Sequence, residues 1–372
     1  MSISCVEPAI DPNNRITFLL DWELTMKCNL DCHYCGTDIE TGGHNNTTSH
    51  PKKEDCFKSI DFMFEYVDLY MSTKTPAFKK VVLNVYGGEA LYHPDIVEIL
   101  LYLRTQYNKY RDNWSLTITT TTNLIVPEYK LLDILPLIDK FTATYHSEIN
   151  DKQLQKFKDN LSLLKNQNKE LACIVLMYPK HFEKCTSMIE WLKAENITAL
   201  PRQLDHTDII DETMFYKPSQ ITWFDKFYET KASIKIVKLD NSIDKNLTDQ
   251  GRACCGARKL SVNQNYKQKT FYIKNNFFDW HCSVNHFFLF VKQVNGKIYT
   301  NKDCKMGFNG AVEPIGTLDN VQPLLEFTKQ GLISNTLPVI QCKKNLCLCG
   351  LCAPKSNTFE DYKSIMKKYQ DY

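Results

Sequence analysis

The chain has 372 residues, of which 43% are apolar, and a formal net charge of +2. That length exceeds one ordinary domain, that apolar content supports a substantial core, and that charge balance gives no global field for nucleic acid or an acidic membrane surface. No apolar run approaches membrane-spanning length, and no basic stretch leads into an apolar one at the start, so the expectation is a soluble, cytoplasmic protein with no secretory signal and no membrane partner.

The first predicted element is a strand, Ile16-Thr-Phe-Leu-Leu-Asp-Trp-Glu-Leu24, which runs into Cys28-Asn-Leu-Asp-Cys32-His-Tyr-Cys35. A helix near 53–72 follows, with Cys56, Ile60, Phe64, Val67 and Met71 at helical spacing. The second strand, Lys79 to Tyr86, leads straight into Gly87-Gly-Glu-Ala-Leu91. Pro94 opens a helix whose apolar stripe is Ile96, Ile99, Leu100, Leu103 and Tyr107. Strands are then expected at 115–123, 140–146, 172–178 and 197–203, and helices at 150–167, 182–195 and 218–230. Alternation of this kind marks a parallel sheet with crossover helices, here six βα units. Chemistry in parallel α/β barrels sits at the carboxyl ends of the strands. Those ends carry the cysteine loop, Gly87-Gly-Glu89, Asn123, His146 and Arg202.

The last third is different in kind. Phe287 to Val294, Asn295-Gly296 and Lys297 to Thr300 spell a hairpin, since Asn-Gly suits a turn with two positive φ angles. Folding about that turn pairs Val294 with Lys297 and brings Cys282 and Cys304 to one open end. Downstream lies Cys342-x4-Cys347-x-Cys349-x2-Cys352. Fifteen cysteines are many for a reducing compartment, where thiols persist as ligands, catalytic groups or buried hydrophobes. Cys5, Cys56, Cys173 and Cys185 are scattered and read as structural, whereas eight, including adjacent Cys254 and Cys255, crowd the carboxy-terminal third. That segregation divides the chain into a region of βα units over 1–230, a linker over 231–253 and a cysteine-rich domain over 254–372.

Three thiolates on one loop can hold three irons of a four-iron cube and leave the fourth vacant, much as a catalytic zinc keeps an open position. A zinc knuckle or a disulfide framework is the alternative, but zinc hooks come as pairs of C-x2-C, which the x3 gap fits poorly. The C-x3-C-x2-C run with Tyr34 before its last cysteine resembles the radical S-adenosylmethionine (radical SAM) superfamily. Gly87-Gly88-Glu89 resembles that family's Gly-Gly-Glu-Pro motif, with Ala90 in place of proline. The resemblance implies an α/β fold, a partial (βα)6 barrel followed by a small cysteine-rich α+β domain with a β-hairpin. It implies a 4Fe-4S cluster on Cys28, Cys32 and Cys35 that binds S-adenosylmethionine and cleaves it reductively to a 5′-deoxyadenosyl radical, which abstracts hydrogen from substrate. Gly87, Gly88 and Glu89 would lie beside the methionine ammonium, and Tyr34 near adenine.

Asn123 would lie near the cosubstrate, or simply form a turn. Ser147 or Glu148 would contact its ribose or carboxylate. His146 would face substrate, and Arg202 would pair with the cosubstrate carboxylate or a substrate anion. The C-terminal third resembles the SPASM/twitch extension of radical SAM enzymes, which houses one or two auxiliary 4Fe-4S clusters. Carried over, Cys282, Cys304, Cys349 and Cys352 form one ligand set, with Cys254, Cys255, Cys342 and Cys347 remaining for a second. A structural zinc on these thiolates is the competing reading there. The same resemblance implies a peptide or protein substrate and a flavodoxin- or ferredoxin-type electron donor. Modification of a small molecule (nucleoside, sugar or amino-sugar) is the enzymatic alternative, and a zinc-stapled binding protein the non-enzymatic one.

Overall fold

The computed structural model describes residues 5–6, 17–35, 49–73, 79–204, 215–231, 278–302, 305–309, 311–343 and 355–370. Its main sheet begins with β2 (Thr17–Thr25), after a two-residue β1 (Cys5–Val6) that belongs elsewhere. The chain then alternates as expected: α1 (Lys53–Ser72), β3 (Lys80–Gly87), α2 (Ile96–Tyr107), β4 (Ser115–Thr122), α3 (Glu128–Ile134) and β5 (Lys140–Tyr145). It continues through α4 (Asp151–Asn166), β6 (Glu170–Leu176), α5 (Phe182–Ala194), β7 (Thr198–Arg202) and α6 (Pro218–Lys231). Strands β2 to β7 pair in sequence order and all in parallel, so their carboxyl ends and the loops beyond them share one rim.

Alternation along each strand decides which face is dry. Phe18, Leu20, Trp22 and Leu24 of β2 and Val81, Leu83 and Val85 of β3 enter one core with the helices. The other face of the same strands is more polar: Asn84 donates to Asp21 at 3.2 Å, and Thr119 reaches Asn84 at 3.3 Å. Helix α4 starts on a reciprocal capping box, in which Asn150 accepts from the Gln153 backbone while the Gln153 side chain accepts from the Asn150 backbone. Helix α1 buries ten of its residues, among them Tyr70, which packs on Phe18 of β2 and donates to the Asn285 carbonyl at 2.8 Å.

The hairpin extends this same sheet. Strand β9 (Phe288–Lys292) runs parallel to β2, with Leu20 opposite Leu289 and Glu23 opposite Lys292. Strands β10 (Lys297–Tyr299) and β11 (Gly316–Thr317) follow antiparallel and complete nine strands, open at β11 and β7. The expected register is corrected: Lys297 pairs with Lys292, not Val294. Gln293–Asn295 curl into a 3-10 turn before Gly296 takes a left-handed φ of 66°, so the connection is longer than a two-residue turn. β6 also starts and stops two residues earlier than expected, because Pro179 opens a helical turn at Pro179–His181.

A second, antiparallel sheet has the order β1, β13 (Lys355–Ser356), β8 (His281–Cys282), β12 (Ile340–Gln341). Helices α7 (Gln322–Ile333) and α8 (Phe359–Gln370) complete the described elements. The N-terminal β1 thus hydrogen-bonds among C-terminal strands, and the C-terminal β9 among barrel strands, so the two sheets cut across the sequence ranges 1–230 and 254–372. Of the linker at 231–253, only Lys231 lies within the described residues.

Candidate active site

The cysteine loop is bolted to the end of β3 by its backbone. Gly88 N donates to Thr25 O at 2.8 Å, and Glu89 N donates to Lys27 O at 3.0 Å. A Cβ on Gly87, whose φ is 150°, would sit 1.9 Å from Thr25 O, and one on Gly88 would sit 2.4 Å from Met26 O. Both positions therefore require glycine. The close approach that the two glycines allow is made here between two protein backbones, at the residues that lead into Cys28.

All three thiols are partly buried. Cys28 Sγ accepts from Leu30 N at 3.4 Å and from Asn123 Nδ2 at 3.6 Å, and Cys32 Sγ lies 3.4 Å from His146 Nδ1. Burial pushes the Cys28 thiol up to about 12, and the charges of Glu89 and Cys35 add to it. Burial likewise drives Cys32 up, reinforced by Cys35 and Cys28. Bare thiolates would thus repel one another here, and a cationic metal group is what makes three of them compatible. Nitrogen donors aimed at the sulfurs suit metal-bound thiolates as well, so this donor set fits an iron–sulfur cluster. Among the described residues, no three His, Cys, Asp or Glu side chains close on the single point that one metal ion needs.

Glu89 is fully buried. Its carboxylate accepts from Leu91 N at 3.0 Å, Thr122 Oγ1 at 2.8 Å and Asn123 N at 2.5 Å. Burial raises its carboxyl to about 7 in spite of those three bonds. Asn123 accepts from Ile125 N at 3.0 Å and donates to Asn29 Oδ1 at 2.7 Å, while Asn29 donates to Ile125 O at 2.7 Å. Asn123 is therefore both the turn residue and a clasp on the cysteine loop. Its partner Asn29 is absent from the sequence-based candidates; an amide beside the first cysteine is the only signal it carries.

The end of β5 holds the loop's other side. Tyr34 is buried, stacks on the His146 ring at 6.0 Å and 9°, and lies 4.9 Å from the Tyr178 ring. Its hydroxyl is 3.2 Å from His146 Nδ1. Burial lowers the His146 imidazole to about 4. Glu148 accepts from the His33 backbone at 2.8 Å, and buried Ser147 is 3.4 Å from His181 Nδ1. Arg202 is exposed at the end of β7, with Met177 N donating to its carbonyl at 2.9 Å. In the smaller sheet Cys282 pairs with Ile340, and Cys342 donates its N–H to Trp280 O at 2.9 Å. Both cysteines are buried. Cys254, Cys255, Cys304, Cys347, Cys349 and Cys352 lie outside the described residues.

No protein-family model matches the chain, and no curated protein does. Solved structures do. Histidine-tagged anSMEcpe with bound AdoMet matches with a TM-score of 0.50 and 14% identity over 96% of this chain and 93% of that one. Native anSMEcpe with bound AdoMet and Cp18Cys peptide matches with a TM-score of 0.50 and 13% identity, over 95% and 96% of the two chains. Streptococcus suis SuiB bound to S-adenosylmethionine gives a TM-score of 0.47 and 12% identity over 84% of this chain, which spans 65% of that longer one. The mixed α/β architecture seen here is shared with anSMEcpe over nearly the whole of both chains. At such identity the likeness is one of fold, and the chemistry rests on the residues above. Among the described residues, no helix is long and apolar enough to cross a membrane.

Proposed function

We propose that this chain is a radical SAM enzyme that modifies a peptide or protein side chain. The observation that carries the reading is the loop of Cys28, Cys32 and Cys35 at the carboxyl rim of a parallel sheet, with nitrogen atoms beside the sulfurs of Cys28 and Cys32 and the backbone leading into the loop bonded to Gly88 and Glu89. Cys28, Cys32 and Cys35 would hold a 4Fe-4S cluster, which would supply the electron for reductive cleavage of S-adenosylmethionine to the hydrogen-abstracting 5′-deoxyadenosyl radical. The chain's own residues do the rest. Asn123, Asn29 and Glu148 fix the loop, while Gly87 and Gly88 let it approach β3. The polar inner face of the sheet, with Asp21, Asn84 and Thr119, would line the chamber and exclude bulk water. The peptide substrate is favoured because a structural neighbour of nearly the same length was solved with AdoMet and a peptide together. Buried Cys282 and Cys342 on one ladder support an auxiliary cluster in the smaller sheet.

The test is anaerobic reconstitution with iron and sulfide, then a strong reductant and S-adenosylmethionine. Formation of 5′-deoxyadenosine is expected, and Cys28→Ala, Cys32→Ala or Cys35→Ala should each abolish it. Undiminished product in any of the three would overturn the assignment.

A further inference from the structure

His146 stands at the end of β5, where the sequence leads one to expect a substrate-facing side chain, yet its contacts run to the cysteine loop. Nδ1 lies 3.4 Å from Cys32 Sγ and 3.2 Å from the Tyr34 hydroxyl. The ring is parallel to Tyr34 within 9° at 6.0 Å, and Tyr34 is held in turn by Tyr178 at 4.9 Å. Two hydrogen-bond partners and a stacked neighbour fix both the position and the plane of the imidazole. The Tyr34 hydroxyl also reaches Cys32, so the sulfur, the hydroxyl and Nδ1 form a triangle.

What this triangle does depends on the state of the sulfur. A free thiol has a proton and can donate it to Nδ1. An iron-bound sulfur has none and can only accept, so the contact survives only if Nδ1 carries the hydrogen. Neutral imidazole has one hydrogen for two nitrogens, and the bond that one nitrogen makes sets the tautomer. Resting on the radical SAM reading above, we infer that His146 is a positioning residue for the cluster, donating from Nδ1 to the Cys32 sulfur and raising the cluster's reduction potential. Reduction adds negative charge that spreads onto the sulfurs, and a fixed donor stabilises the more negative state more. Hydrogen bonds to cluster sulfurs are among the settings of such potentials, and partners behind the ligands tune metal sites generally. Cys28 has comparable donors in Leu30 N and Asn123 Nδ2, so His146 extends the same treatment to the second cysteine.

The experiment compares wild type, His146→Leu, His146→Asn and Tyr34→Phe as full-length reconstituted proteins. Asparagine places an amide N–H near where Nδ1 stands, whereas leucine removes the donor and keeps bulk. The readout is an EPR-monitored redox titration, with iron per chain measured alongside. The relevant signal is assigned by its absence from the Cys28→Ala/Cys32→Ala/Cys35→Ala variant. Equal iron is expected in all four proteins, with a negative shift of midpoint potential in His146→Leu and a wild-type potential restored in His146→Asn. The inference is overturned by a wild-type potential in His146→Leu, by an asparagine variant shifted as far as leucine, or by a shift carried wholly by Tyr34→Phe. Loss of iron from both His146 variants would make the residue a structural prop and overturn it too. Failure of the underlying reading looks different: wild type would show no signal that the triple cysteine variant lacks.

Discussion

Three internal donors on Glu89 leave its carboxylate buried, charged only with difficulty, and tied to the ends of both β3 and β4. Because its folded value is raised from 4.5 to about 7, the folded chain holds a proton that the unfolded chain has released between those limits. Stability therefore falls as pH rises through that window and is level above it; a shift of this size is worth about 3 kcal/mol. Glu89→Gln cannot titrate, so the difference in denaturation midpoint between wild type and variant should change between pH 5 and pH 8, measured on the iron-free chain. A constant difference across that range would mean that Glu89 is not the buried acid described here. None of this behaviour is legible in the sequence. A glutamate after two glycines is visible there, but the donors on Leu91, Thr122 and Asn123 come together only when β3 and β4 are side by side.

Elements with a strong period were legible, and those without one were not. Helix α1 shows its apolar spacing over twenty residues and appears at Lys53–Ser72, within a residue of its expected bounds. The two-residue strands β1, β8, β12 and β13 have no period to read, so the second sheet was invisible in the sequence. At the hairpin, Asn295-Gly296 correctly marked a reversal, but the 3-10 turn ahead of it moved the register by two residues. The glycine pair shows how an element end serves the site. Its Cβ clashes would be with the backbone of residues 25–27, which cannot swing aside as a flexible side chain can. Gly88→Ala should therefore lever the cysteine loop off β3, at a cost of about 1–3 kcal/mol typical of forced overpacking. Thermal midpoint and iron retention should both drop. An alanine variant that matches wild type in both would show that the loop is free to move.

At the scale of the whole molecule, the two sheets give the candidate ligand cysteines two separate neighbourhoods. Cys28, Cys32 and Cys35 lie at the rim of the nine-stranded sheet, whereas Cys282 and Cys342 lie on the four-stranded one. Cys282 opposes Ile340, and the Trp280–Cys342 contact continues the same ladder, so the two cysteines fall diagonally on one face, about 7–8 Å apart at the backbone. That spacing suits two corners of one cube and draws Cys342 toward Cys282, although the ligand sets that the family resemblance implies put them apart. Alternation on paired strands supplies this information, and a single strand's sequence does not hold it. With Cys28, Cys32 and Cys35 all changed to alanine, the chain should still retain iron and sulfide. It should be inert toward S-adenosylmethionine, since a cube closed by four thiolates has no vacant iron. Adding either Cys282→Ala or Cys342→Ala should then remove the same complement, about four irons per chain, and the two changes together should remove no more than one alone. Stoichiometric zinc without sulfide would establish a structural zinc module in place of the cluster. Additive iron loss from the two single changes would place Cys282 and Cys342 on separate clusters, as the ligand sets implied by the family resemblance have them.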